Sequence, residues 1–367
     1  MPGRLHYIDS TRALASILGV FYHASLVFSH GWLVNSKDLP LSGSMYALHH
    51  VLTYFRMPLF LIVSGFFTAY GIKKYLAEEF IKPRARRILL PFVSSMLILL
   101  PIQLGFSAWN QSPEHVWEVF LASMNPISHD FRLGHLWFLY FIIIFSALCF
   151  AEWHLFRKSR MQNTSSEYSL LRTLMLLAGI WFAEQILAAA TLFVGEMLPL
   201  KDSWLEISKM ARCFPIFYLG YLSYHRKNML TGIHRLGPCF LVLGALLYWP
   251  IGHLADTVDS WFLASVLKSV LTWLLTLGVF HLAKRTLDFS NGAMDYLSEG
   301  SYGVYLLHQP VIVVVASIFL RFFDVRNAWA GYGALVTISL FLTYLLYHLI
   351  IRNTRLGGYL FTGTVRK

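Results

Sequence analysis

The sequence predicts an all-α integral membrane protein with about ten transmembrane helices and both termini in the cytoplasm. Three observations lead there. Apolar residues make up 56% of the 367 and charged residues 13%, with a mean hydropathy of +0.55; a soluble domain carries about twice that charged share. Apolar runs of about 20 residues, enough to cross the hydrocarbon layer as a helix, recur at 9–30, 46–70, 88–108, 134–156, 171–195, 210–225, 236–252, 259–282, 300–322 and 329–351, with the sixth and seventh short. The cations between the runs are divided unequally. One alternate set of loops holds nineteen: Arg4; Lys73, Lys74, Lys82, Arg84, Arg86, Arg87; Arg157, Lys158, Arg160; Arg226, Lys227, Arg235; Lys284, Arg285; and Arg352, Arg355, Arg366, Lys367. The other set holds six: Lys37, Arg132, Lys201, Lys209, Arg321 and Arg326. The richer set belongs inside, and an even number of spans then returns the chain to the same side. The formal charge of +11 therefore reports orientation in a lipid membrane and not a nucleic-acid partner.

The first run follows Asp9 and Ser10, residues of the N-cap type. Arg4 is followed by a long apolar run with no small-residue cleavage site, which favours a retained first span. Arg12 and His23 are eleven residues apart, about three turns, so they share one helix face at an axial separation of about 16 Å. Ser16 and Gly19 lie between them. A cation and an imidazole inside a span are functional candidates by default; the plain alternative is an interfacial Arg and a His satisfied by a neighbouring helix. Asp9 stands three residues before Arg12 and pairs with it at i+3. It is about 21 Å of helix from His23 and cannot orient that imidazole.

In the second run, Pro58 removes a backbone donor, kinks the helix and leaves a carbonyl for another partner. Arg56, two residues earlier, could hold a carboxylate or an oxyanion, or reach to headgroups. Ahead of the third run, Lys82-Pro83-Arg84-Ala85-Arg86-Arg87 exceeds what orientation needs. Guanidinium groups bind phosphate by paired hydrogen bonds, and anionic lipid is the other reading. The longest outer segment, Trp109 to Gly134, carries Pro113, Glu114, Trp117, Glu118, Asn125, Pro126, His129 and Asp130. That composition suits a carbohydrate or headgroup, or simply an anchored loop. His135 opens the fourth run, and Glu184 is the clear mid-span carboxylate of the fifth. Residues 161–166 read as an ordinary loop. Tyr302, Tyr305 and His308 recur at i, i+3 and i+6 in the ninth run, just ahead of Pro310. His135 and His308 each read as either substrate-facing or bracing residues. Cys149, Cys213 and Cys239 lie in apolar runs as small hydrophobes. Metal-ligand spacing, a Gly-rich phosphate loop and a Ser-His-Asp order are all lacking, so no metal is expected.

Taken together, Asp9-Ser10-Thr11-Arg12 with His23, Phe55-Arg56-Met57-Pro58 leading to Ser64-Gly65-Phe66-Phe67, Arg84-Ala85-Arg86-Arg87 before Pro91, and Tyr305-Leu306-Leu307-His308-Gln309-Pro310 resemble the acyltransferase-3 family of membrane O-acyltransferases. Leu26 through Ser36, Gly134-His135-Leu136-Trp137-Phe138-Leu139 and Tyr359-Leu360-Phe361-Thr362-Gly363 resemble the branch of that family that succinylates osmoregulated periplasmic glucans. The resemblance implies one transmembrane acyltransferase domain over 1–367 in a bacterial inner membrane. It moves an acyl group, succinyl favoured, from cytosolic acyl-CoA as co-substrate to sugar hydroxyls of a periplasmic glucan or another polysaccharide. Such a reaction needs a base, an oxyanion stabiliser and a cationic seat for the acyl donor's phosphates. His23, Arg56 and Arg84, Arg86 and Arg87 offer these, with Arg12 guiding the donor and Asp9, Ser16, His135, Tyr305 and His308 in support. Direct transfer and an acyl-His intermediate both remain open. So do an acetyl donor with another envelope polysaccharide and, from a different class, a secondary transporter with a His/Arg relay.

Overall fold

The structure, a computed structural model, describes residues 5–34, 39–74, 77–111, 113–123, 133–160, 170–197 and 206–364. Arg4, Lys37, Asn125, Pro126, His129, Asp130, Arg132, residues 161–166, Lys201, Arg366 and Lys367 lie outside the described residues. Among those described, every regular element is helical. In order they are α1 (His6–His30), α2 (Gly43–Lys74), α3 (Ala77–Arg84), α4 (Leu90–Gln111), α5 (Val116–Ser123), α6 (Trp137–Arg160), α7 (Leu170–Met197), α8 (Ile207–His225), α9 (Lys227–Thr257), α10 (Trp261–Leu287), α11 (Gly292–Phe322), α12 (Ala328–Leu346) and α13 (Arg355–Thr362). π-helical turns at Ala85–Leu89 and Tyr347–Arg352 precede α4 and extend α12.

Nine helical stretches among the described residues are long and apolar enough to cross a membrane. Mid-helix side chains such as Leu97, Ile102, Phe182, Leu246 and Phe341 are exposed, an outward apolar surface that water would not tolerate but lipid does. This is an all-α integral membrane protein. The expected sixth span is α8, a 19-residue helix outside that set of nine, with Lys209 and Arg212 in its first two turns. The expected seventh, read as short at 236–252, is the 31-residue α9; its polar ends, Lys227 to Arg235 and His253 to Thr257, conceal its length in a hydropathy reading. Of the segment after Trp109, residues 113–123 form a 3₁₀ turn at Pro113–His115 and then α5. Of the cysteines, Cys149 is buried, Cys213 half-buried and Cys239 exposed, so the last is not a core residue.

The chain forms two compact units. The first comprises Met1–Arg12, Tyr54–Phe80 and Phe141–Gly292. Here α9 and α10 pair as an antiparallel hairpin, and α2 meets α8 backbone to backbone where Gly65 touches the Phe217 carbonyl, a position with no room for a Cβ. Pro58 has the effect its chemistry requires: the Tyr54 carbonyl it frees accepts from Thr276 Oγ1 at 3.2 Å. Glu184 is held by Ser269 Oγ at 2.8 Å and Trp273 Nε1 at 2.5 Å, and Gln185 and Trp181 in turn donate to Ser269.

The second unit comprises Ala13–Thr53, Ile81–Tyr140 and Ala293–Lys367. Its axis is α11, buried along most of its length. α1 packs on α11 closely enough for Ser16 Oγ to donate to the Ser301 carbonyl at 3.0 Å, and Tyr332 of α12 reaches the Phe21 carbonyl. α13 lies against α4 and the π-helical turn before it.

Candidate active site

The site is built on a proline. Pro310 sits inside α11 and has no N–H for the carbonyl of Leu306, four residues back. That carbonyl accepts from His135 Nε2 at 2.9 Å instead. A carbonyl only accepts, so His135 carries its proton on Nε2 and, when neutral, its lone pair on Nδ1. Tyr305 completes the clasp by donating its hydroxyl to the His135 carbonyl. By the same logic, the Nδ1 of His308, 2.6 Å from the Tyr305 carbonyl, is protonated. Its lone pair is therefore on Nε2, as a general base requires.

His23 of α1 joins this group. Its ring centroid is 5.2 Å from that of His308, which is 5.5 Å from that of His135. The three imidazoles form a row, each at most 8% exposed. On its other side His23 stacks on Trp32 at 4.9 Å and 28°. That contact depends on how α1 ends. Gly31 takes φ +66°, where a Cβ is disfavoured, and its N–H caps the Val27 carbonyl. The chain reverses there and brings the indole back over the last turns of the helix.

Within this unit the structure brings together His23, His135, Tyr305 and His308, with Ser16 fastening α1 to α11 below them. Arg84, Arg86 and Arg87 are also here, Arg84 half-buried at the end of α3 and the other two exposed on the turn before α4. Arg87, the nearest of them in sequence, stands about 24 Å of helix from Gln103, a neighbour of the histidine row. Arg12, Asp9 and Arg56 belong to the other unit. Asp9 and Arg12 form the expected i+3 pair at 3.6 Å, and the guanidinium lies over Phe67 at 5.4 Å. Arg56 is buried. Among the described residues, no group of three or more His, Cys, Asp or Glu could hold a metal ion.

The sequence did not reveal Trp32. It stands in a recognisable block, but only the reversal at Gly31 shows that it faces a residue nine positions earlier. Gln103 and Gln309 escaped notice for a similar reason. Both are buried and gather round Gly134, the residue before His135, and a glutamine in an apolar run carries no signal of its neighbours.

A family model described as an acyltransferase domain, that of the acyltransferase-3 family, matches residues 5–348. Among curated proteins, the chain is similar to "Glucans biosynthesis protein C" of Escherichia coli O1:K1 / APEC, of strain S88 and of strain K12 / DH10B. It is 25% identical to each over 379 residues, which cover 98% of this chain and 94% of the relative. No solved structure matches. With the family model running over nearly its whole length, the chain belongs to the acyltransferase-3 family.

Proposed function

We propose that this membrane acyltransferase moves a succinyl group from cytosolic succinyl-CoA to hydroxyls of a periplasmic glucan. The observation that carries the reading is the row of buried imidazoles, His23, His308 and His135, with backbone carbonyls fixing the proton positions of two of them. Acyl transfer to a sugar needs a lone pair at the hydroxyl and a scaffold that keeps it there. His23, stacked on Trp32, takes the hydroxyl proton. The sugar oxygen attacks the thioester carbonyl, the C–S bond breaks, and the proton passes from His23 to the departing thiolate. Arg56 serves as the oxyanion stabiliser, a role that rests on its residue type and its place in the second span. Arg84, Arg86 and Arg87 hold the phosphates of the coenzyme, with Arg12 guiding its arm. The glucan acceptor and the succinyl group are supported by the similarity to proteins named for glucan biosynthesis.

A transporter relay has less behind it. Glu184, the mid-span carboxylate such a relay would use, is occupied by a serine and a tryptophan.

The test uses purified protein in nanodiscs with succinyl- or acetyl-CoA, with and without β-glucan, following free thiol and glucan mass. Acceptor-dependent thiol release with a succinyl mass gain is expected. Use of acetyl-CoA alone would overturn the succinyl assignment, and no turnover with either thioester would overturn the reaction.

A further inference from the structure

α4 and α11 each carry a polar stripe, and the two stripes face one another. On α4 it is Gln103, Ser107 and Asn110, spaced i, i+4 and i+7, which is one helix face. On α11 it is Gln309 and Ser317. Two contacts show that they face: Asn110 Nδ2 donates to Ser317 Oγ, and the Gln103 and Gln309 amides both approach Gly134, within 4 Å of where a Cβ on that residue would stand.

The inner end of the stripes is polar and unsatisfied. Gln103 is 2% and Gln309 4% exposed, yet the Oε1 of each lacks a hydrogen-bond partner among the described residues. Buried amide oxygens call for donors. Both stand beside the histidine row, since Gln309 follows His308 and Gly134 precedes His135. The outer end of the stripes opens into a cavity of about 450 Å³, where Trp109, Asn110, Ser317, Arg321 and Asp324 stand among apolar side chains such as Phe323. That volume is within the range of small-molecule sites. Its chemistry is an aromatic ring with a guanidinium over it at 4.7 Å, plus an amide, a hydroxyl and a carboxylate. Such a set offers an apolar plane edged by donors and acceptors of both kinds. A ligand that presents many hydroxyls and C–H faces, and needs no net charge, satisfies both ends.

We propose that the α4–α11 stripe and its cavity bind the acceptor as a neutral polyhydroxylated chain. The chain lies in the cavity against Trp109, and Gln103 and Gln309 accept hydrogens from hydroxyls of the sugar being acylated. This rests on the glycan reading of the acceptor given above, and the experiment separates the two. Binding is measured without any thioester, by calorimetry of the full-length protein in nanodiscs with a short linear β-glucan. The proteins compared are the parent, Trp109→Ala, Trp109→Phe and Gln309→Leu, each first required to bind coenzyme A as the parent does. Trp109→Ala and Gln309→Leu are expected to weaken glucan binding by about tenfold, the effect of losing one good contact, with Trp109→Phe largely rescuing it. In turnover the same variants raise the acceptor KM and leave the donor KM unchanged. Glucan binding that these variants do not alter, or a fall in kcat alone, would overturn the proposal. Binding lost in the variants while the parent shows no turnover would uphold the site and overturn the acyl-transfer reading.

Discussion

At the scale of single residues, the chemistry depends on where two protons sit. The carbonyl that Pro310 leaves free accepts from His135, and the Tyr305 carbonyl fixes the Nδ1 proton of His308. His23, next in the row, faces His308 on one side and Trp32 on the other. Replacing His23 by Gln keeps the size and polarity of the side chain but removes the base. The expected loss is about 10²- to 10⁴-fold in kcat, with the variant still monodisperse and inserted. Full activity in a thiol-release assay would remove His23 from the reaction. Pro310→Ala tests the scaffold. It restores an N–H at position 310, which competes with His135 for the Leu306 carbonyl, while improving helix propensity. Turnover should fall although thermal stability holds or rises. The double variant with His135→Gln should lose no more than the worse single change, because both act on one bond. Additive losses would show that His135 acts independently of Pro310. The individual imidazoles were legible in the sequence, each beside a motif. Their meeting was not, since His23 and His308 are 285 positions apart and periodicity within a helix says nothing about which helix comes next to it. Pro310 and Pro58 show where the sequence could be pressed further. A proline inside a span names the carbonyl it frees, at Leu306 and Tyr54, even when the group that takes it is unknown.

At the scale of elements, two helix ends do the positioning. α1 stops at Gly31, whose positive φ turns Trp32 back onto His23. Gly31→Val would force a branched side chain into left-handed backbone, at about 1–2 kcal/mol. The chain would relieve this by moving Trp32 off the imidazole. Activity should fall together with stability, whereas Trp32→Leu should lower kcat with little change in unfolding temperature; equal effects of both variants on stability would make the stack structural. The second end is the junction of α3 and α4, where a π-helical turn carries Arg86 and Arg87 outward. Phosphate contacts on exposed guanidinium groups are screened by salt. The Arg86→Ala, Arg87→Ala pair should therefore raise the donor KM about tenfold at low salt, less at high salt, and leave the acceptor KM alone. A change confined to membrane insertion would return these arginines to lipid anchoring. The cationic run itself was plain in the sequence, and so was the existence of each long helix. Their limits were not. α9 begins nine residues before its apolar run because Lys227 to Arg235 can extend a helix beyond the hydrocarbon layer, and hydropathy reads only the part inside it.

At the scale of the whole molecule, the open matter is on which side the chain ends, and α8 decides it. Nine stretches meet the length and apolarity of a span, and an odd count would put the two termini on opposite sides. α8, at 19 residues, is about 28 Å long, close to the hydrocarbon thickness. Its cations, Lys209 and Arg212, are in the first two turns, where long side chains reach the interface, and Lys209 is already paired with Glu206 at 2.6 Å. The loop charges weigh the two topologies. With α8 across the membrane, nineteen loop cations fall on one side and six on the other. With α8 off the membrane, every loop after it changes side. Arg226, Lys227, Arg235, Lys284, Arg285 and the C-terminal four then leave the rich set, Arg321 and Arg326 enter it, Arg212 joins the other set, and the division becomes twelve against fourteen. Only the first obeys the positive-inside bias, so α8 is expected to cross and both termini to lie in the cytoplasm. A green fluorescent protein fused after Lys367 should then fluoresce in cells, and alkaline phosphatase fused at the same point should be inactive. Active phosphatase there would put the C-terminus outside and α8 out of the bilayer. It would also part the two walls of the cavity, because Trp109 and Asn110 are placed by spans before α8 and Ser317 and Arg321 by a span after it, so the hydrogen bond from Asn110 to Ser317 is kept only when α8 crosses.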